Sequence, residues 1–305
     1  MNNLLLVQVL NGLQYGVLLF LLAAGLTLVF GIMSFVNLAH GSLYMMGAYA
    51  AAVAANLTGS FVVSVFVAVL MTGVLGMVLE LAVVSRLYRR DHLDHVLATF
   101  GLILFFNELV RMIWGSQPLF VQVPEFLGDA VTILGFTYPA YRLAIIGVGL
   151  FVAVGSYFLI HKTRMGMLIR AGSVNPAMVA ALGVNIRLLN AALFALGAML
   201  AGLAGAMAGP IVSVQSGMGE PVLITTLIVI VIGGIGSVAG AFYAALIVGL
   251  VDTMGRVYLS LALRQITERS IADAAGPALA SMLVYLLMAC VLAWRPQGLF
   301  PAKRG

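Results

Sequence analysis

Asn37 and His40 place an amide and an imidazole in the stretch Gly31-Ile32-Met33-Ser34-Phe35-Val36-Asn37-Leu38-Ala39-His40-Gly41-Ser42, between two long apolar runs. A second stretch, Gly209-Pro210-Ile211-Val212-Ser213-Val214-Gln215-Ser216-Gly217-Met218-Gly219-Glu220-Pro221, interrupts the apolar sequence in a similar way. Both carry the same order and spacing of glycine, amide and glycine: Gly31, Asn37 and Gly41 in one, Gly209, Gln215 and Gly219 in the other. Amides and a lone imidazole suit hydrogen bonding rather than bond breaking. Where helices are broken at membrane depth, their free N-termini attract carboxylates, and such breaks hold substrates in transporters built as inverted repeats. The residues that would line a path of this kind are Asn37, His40, Gly41, Thr99 and Gln215. Two ordinary polar loops rich in turn residues would give the same strings, and a lone His at a membrane boundary also serves simply by bonding to backbone.

Two further pairs carry charge inside apolar runs. Glu108 and Arg111 are three residues apart, and Asp252 and Arg256 four apart. Those spacings put each pair on one helix face. Ionisable groups within the membrane are costly and are usually paired, so both are read as structural ion pairs. Glu80, near the end of its run, is read as pairing with the arginines that follow.

The elements that must position these groups are membrane helices. The chain is 63% hydrophobic and 8% charged, with a mean hydropathy of +1.15; a globular domain carries roughly 25% charged residues. Continuous apolar runs long enough to span appear near 4–30, 38–57, 61–83, 96–114, 142–160, 188–208, 222–236, 238–256 and 278–294. They predict an all-α polytopic membrane protein, a single transmembrane domain over 1–305, with about eight or nine spans and one or two discontinuous or re-entrant segments. Barrel strands alternate in polarity and are excluded. The first run lacks a basic n-region and is too long for a signal-peptide core, so it is expected to be retained.

Lys and Arg in short loops set orientation. Arg86, Arg89 and Arg90, then Lys162 to Arg187, then Arg295, Lys303 and Arg304 are expected on the cytoplasmic side. The segment 115–140, which has no Lys or Arg, falls outside with the N-terminus. The formal net charge of +5 is accounted for by these loops and gives no basic face with interleaved aromatics for nucleic acid. Cys290, the single cysteine, supports neither a disulfide nor a metal cluster.

The cytoplasmic segment 161–187 is longer than a connector needs. Within it Asn175 suits an N-cap, Pro176 the first helical position and Gly183 the left-handed C′ position, which predicts a short helix capped at both ends. A docking surface for another protein and an amphipathic helix lying on the membrane both fit these residues. The sequence contains no G-x-x-x-x-G-K-[ST], H-E-x-x-H or G-x-S-x-G string, and Gly234-Ile235-Gly236-Ser237-Val238-Ala239 lacks the βαβ context of a dinucleotide site. No cofactor, metal or catalytic residue is expected. The glycines of the last string mark a tight turn between spans.

The strings Gly25-Leu26-Thr27-Leu28-Val29-Phe30-Gly31-Ile32-Met33, Val36-Asn37-Leu38-Ala39-His40-Gly41, Met46-Gly47-Ala48-Tyr49, Leu97-Ala98-Thr99-Phe100-Gly101, Ile232-Gly233-Gly234-Ile235-Gly236-Ser237 and Arg295-Pro296-Gln297-Gly298-Leu299-Phe300 resemble the LivH-type permeases. These are inner-membrane subunits of bacterial ABC importers for branched-chain amino acids. The resemblance implies a LivM-like second permease subunit, two ABC ATPase subunits, a periplasmic solute-binding protein and a place in the lipid bilayer of the inner membrane with the C-terminus cytoplasmic. It also implies that Asn175, Pro176, Ala177, Val179, Ala180, Ala181 and Gly183 belong to a coupling helix that sits on the ATPase. The acidic residue of that family pattern is missing here, with Val179 in its place. Related subunits handle urea or short amides, and a partner-independent channel for a small neutral solute is the alternative from another class.

Overall fold

The computed structural model describes residues 2–300 except 34, 36, 89 and 134. Arg89, Lys303 and Arg304 of the basic clusters, and Ser34 and Val36 of the first break, lie outside the described residues. In hydrocarbon a segment must satisfy its own backbone, which the long apolar runs do by forming helices. In chain order these are α1 Asn2–Met33, α2 His40–Thr58, α3 Phe61–Leu79, α4 Ser85–Leu87, α5 His92–Trp114, α6 Ala140–Lys162, α7 Arg164–Val174, α8 Pro176–Ala181, α9 Ile186–Ala208, α10 Gly219–Gly233, α11 Val238–Leu263 and α12 Arg269–Trp294. A single π-helical turn, Glu80–Val84, joins α3 to α4 without a break.

Among the described residues seven helices, counting α3 to α4 as one, are long and apolar enough to cross a membrane. The alanine-rich α2 is as long as α3 but less apolar, and α10 is the one shorter apolar helix. Together they give the all-helical polytopic bundle that composition predicts. α12 starts at Arg269 rather than near 278 and carries Pro277 inside it. Between α5 and α6 the chain forms a small antiparallel hairpin of β1 Ala130–Ile133 and β2 Phe136–Pro139, which no feature of the sequence reading foresaw.

Two four-helix halves repeat. The register that aligns Gly41 with Gly219 also brings the starts of α2, α3 and α5 within one residue of the starts of α10, α11 and α12. Packing exchanges in the same way: α1 lies on α11 as α9 lies on α3, α2 on α9 as α10 on α1, and α1 also meets α9 directly. Gly12 faces Leu250 while Gly16 faces Leu246, so α1 and α11 run antiparallel; Thr72 faces Gly202 while Gly76 faces Ala198, so α3 and α9 do too. The equivalent helices α1 and α9 also run antiparallel, since Gly25 faces Gly197 while Met33, at the end of α1, packs with Leu189, near the start of α9, so the halves are inverted relative to each other. α1 is the central element, with 83% of its apolar window buried against 22% for α5, α6 and α12.

One face of the bundle gathers the end of α1, the turn after α4, and α7 to α8. The Tyr88 hydroxyl oxygen lies 3.3 Å from Met33 Sδ, and Met33 also packs against Ile169 and Leu189. The 295–300 segment joins that face, with Leu299 N and Phe300 N donating to the carbonyls of Ile232 and Gly233. The hairpin segment lies at the other end, where Leu119 and Val214 exchange backbone hydrogen bonds.

Candidate functional site

The first break turns back into the bundle. After α1 ends at Met33, Phe35 and Asn37 are buried, and His40 opens α2 with its Nε2 3.2 Å from the carbonyl oxygen of Leu22. Leu22 lies roughly 16 Å down α1 from its end at 1.5 Å per residue, so α2 begins deep between the helices. Asn37 is 1% exposed, and neither its amide oxygen nor its amide nitrogen has a hydrogen-bond partner. Thr27 Oγ1, on α1, is likewise buried and unpartnered.

The second break is held by Asn107 of α5. Its Oδ1 accepts from Gly217 N at 3.2 Å, its Nδ2 donates to Glu220 Oε1 at 2.7 Å, and its carbonyl accepts from the Ser216 hydroxyl at 3.2 Å. One side chain and one carbonyl thereby fix the approach to α10. The sequence reading missed Asn107, because nothing local to it signals a partner more than a hundred residues away.

The two breaks meet. A Cβ added at Gly41 would lie 2.6 Å from the Gly219 carbonyl oxygen, and one at Gly219 would strike the backbone of Gly41. Neither preceding residue, Ala39 nor Met218, caps its helix with a side chain. Two uncapped helix N-termini of opposite direction thus converge at the contact between the halves, each carrying the partial positive charge of a helix start. The chain is shut at that contact, with no room between the two backbones. Asn37, His40 and Gly41 come together there. Gln215 is exposed, and Thr99, fully buried, donates its hydroxyl to the His95 carbonyl at 2.7 Å within its own helix.

Beneath the first break, Phe35 packs edge-on against Tyr88 at 6.3 Å between ring centroids and against His95 at 4.7 Å. Tyr88 donates to Glu80 Oε1 at 2.8 Å. Glu80 is 1% exposed, and among the described residues its side chain is bonded by this hydroxyl rather than by the arginines the sequence suggested; the π turn that starts at Glu80 rotates it into the bundle. Glu108 and Arg111 form an ion pair at 2.7 Å, with both side chains more than half exposed on the outer surface of α5. Asp252 accepts from Arg256 Nε at 2.7 Å and Nη2 at 2.9 Å, with the carboxylate largely covered.

On the basic face the segment after α6 forms two helices. α7 is capped by Thr163, whose Oγ1 accepts from Gly166 N at 3.1 Å. α8 is capped by Asn175, whose Oδ1 accepts from Met178 N at 3.0 Å, and Pro176 opens it. It ends in a Schellman turn: Gly183 has φ 85°, its N donates to the Ala180 carbonyl, and Val184 N donates to that of Val179. Ala177, Met178, Ala180, Ala181 and Leu182 are exposed. Val179 is 5% exposed, on the side of α8 that packs on the chain's own helices α7 and α9.

The family described as the permease component of branched-chain amino acid transport systems matches residues 8–292. The high-affinity branched-chain amino acid transport system permease protein BraD of Pseudomonas aeruginosa is 27% identical over 305 residues, covering 96% of this chain and 94% of its own. The corresponding permease protein LivH of Escherichia coli K12 is 28% identical over 311 residues, covering 95% and 96%. The ribose import permease protein RbsC of the same organism is 26% identical over 244 residues, covering 76% of this chain and 72% of its own. No solved structure matches.

Proposed function

The chain belongs to the permease-component family of branched-chain amino acid transport systems, and from that premise we propose that it carries a hydrophobic, net-neutral amino acid inward as one permease of an ABC importer. The supporting observation is the capped helix α8, which offers Ala177, Met178, Ala181 and Leu182 on the basic face of a chain with no nucleotide-binding string. One of two ATPase subunits docks there and the other beneath the second permease, and their closure tilts the helices that end nearby. The basic face is cytoplasmic by the loop-charge rule, which places the C-terminus inside and the hairpin toward a periplasmic binding protein.

The second permease, LivM-like, packs on α5. That helix is mostly uncovered and carries the exposed Glu108 and Arg111 pair, and charge facing hydrocarbon is costly, so the face meets a partner or a wet path. Substrate moves when the two breaks part. Asn37 and the uncapped starts of α2 and α10 then become available to a zwitterion, whose carboxylate suits helix N-termini; Gln215 lines the outer approach.

The test is ATPase stimulation in the assembled complex. Ala181→Asp should leave insertion and assembly intact and reduce substrate-stimulated hydrolysis by about tenfold or more, as expected for an apolar contact forced to bury a charge. Unchanged stimulation removes α8 from the coupling.

A further inference from the structure

A lateral groove of about 270 Å³ runs between α6 and α11 toward the basic face. Phe20 of α1, itself 1% exposed, forms its floor, and Leu150, Val154, Phe242 and Tyr243 form its walls. The inward end differs in chemistry. There the lining is His161, the penultimate residue of α6, and Val238 and Ala239, the first two residues of α11. His161 is stacked on Tyr157 at 4.5 Å between ring centroids, and its Nδ1 lies 3.1 Å from the Tyr157 carbonyl, which leaves Nε2 directed elsewhere.

We propose that this groove holds one acyl chain of an anionic phospholipid from the leaflet on the basic side, with the phosphate at His161 and the start of α11. Three observations commit the groove to a lipid rather than a polypeptide. It lies between two spanning helices, so its side opening faces hydrocarbon, and its walls are apolar apart from aromatic rims of the kind that sit at the headgroup level. Its mouth is a helix N-terminus: Ser237 Oγ accepts from Gly240 N at 3.0 Å, and the amides of Val238 and Ala239 ahead of it have no intrahelical acceptor and suit a phosphate. The segment beside that mouth carries Lys162, Arg164, Arg170 and Arg187, and the sequence has no Asp or Glu between Asp129 and Glu220. That stretch is net positive, and anionic headgroups at this depth carry the complementary charge. A bound lipid would brace α6, whose last residues lead directly into α7 and α8.

The assembled, full-length chain with its accompanying subunits, washed of lipid in mild detergent, is titrated with dioleoylphosphatidylglycerol or dioleoylphosphatidylcholine and read by native mass spectrometry. One phosphatidylglycerol should be retained per copy of the chain, about fivefold more tightly than phosphatidylcholine. Replacing the mouth with His161→Ala and Lys162→Ala should bring the two lipids within about twofold, and Ala153→Phe, which fills the groove, should remove the retained lipid. Equal retention of both lipids by the unaltered chain, or unchanged preference in both variants, overturns the proposal. So does a photocrosslinker at position 154 that captures a polypeptide instead of lipid in intact membranes.

Discussion

Asn37 is buried without a partner for either end of its amide, an arrangement that costs about 1–3 kcal/mol in a folded chain. A group kept at that cost, beside two uncapped helix starts, fits a ligand that satisfies it transiently. Asn37→Leu should therefore hold or raise the thermal midpoint of the detergent-solubilised chain while lowering uptake at least about tenfold, the equivalent of about 1.4 kcal/mol. A fall in midpoint together with normal uptake removes Asn37 from the path. Asn107 behaves in the opposite sense. Asn107→Ala strands Gly217 N and Glu220 Oε1, and should lower stability by about 2 kcal/mol, seen as a reduced midpoint before any change in substrate affinity. The breaks themselves were legible in the sequence as polar strings at matching spacing. Asn107 was not, because its bonds join residues distant along the chain, and Glu80 was misread because its true partner, Tyr88, competes with arginines that look equally near in sequence.

Among the elements, α8 was the most readable, since its start and stop are local chemistry. An amide before Pro and a glycine that needs positive φ fix both ends regardless of the surrounding fold. Asn175→Ala should cost the helix about 1 kcal/mol, and Gly183→Ala about 1–2 kcal/mol because Gly183 sits at φ 85°. Hydrogen exchange at the amides of 177–182 should rise in both variants while exchange in α9 stays unchanged; slow exchange in both would mean that packing rather than the caps holds α8. α12 and the hairpin were less readable. A proline usually marks a helix boundary, yet Pro277 sits inside α12, where its missing N–H leaves the Asp273 carbonyl without its usual helical donor; membrane helices tolerate this because neighbouring groups re-satisfy such carbonyls. The strands of four residues each are too short to show a period, and their register comes from the turn at Gly135, with φ 84°.

At the scale of the molecule, the matching glycines of the two breaks turn out to be the point where the inverted halves touch. A pattern of three residues in each half is compatible with a repeat as well as with two ordinary loops, and the matching starts of α2, α3 and α5 with α10, α11 and α12 decide for the repeat. It did not predict that Gly41 would lie on Gly219, because sequence spacing carries no information on which equivalent positions sit at a pseudo-symmetry contact. Gly219→Ala should wedge the halves apart, lowering the thermal midpoint and cutting transport together, whereas Gly147→Ala, on α6 with open space around it, should leave transport unchanged and hold or slightly raise the midpoint. Comparable behaviour of the two variants would show that the contact is incidental.

The central claim is that this chain moves its solute only when an ATPase drives it through the basic face. Radiolabelled leucine uptake into proteoliposomes tests it most directly, comparing the assembled complex with and without internal ATP and the purified chain alone. The account predicts uptake that requires ATP and all partner subunits and is lost in Ala181→Asp; saturable uptake by the purified chain without any ATPase subunit would contradict it.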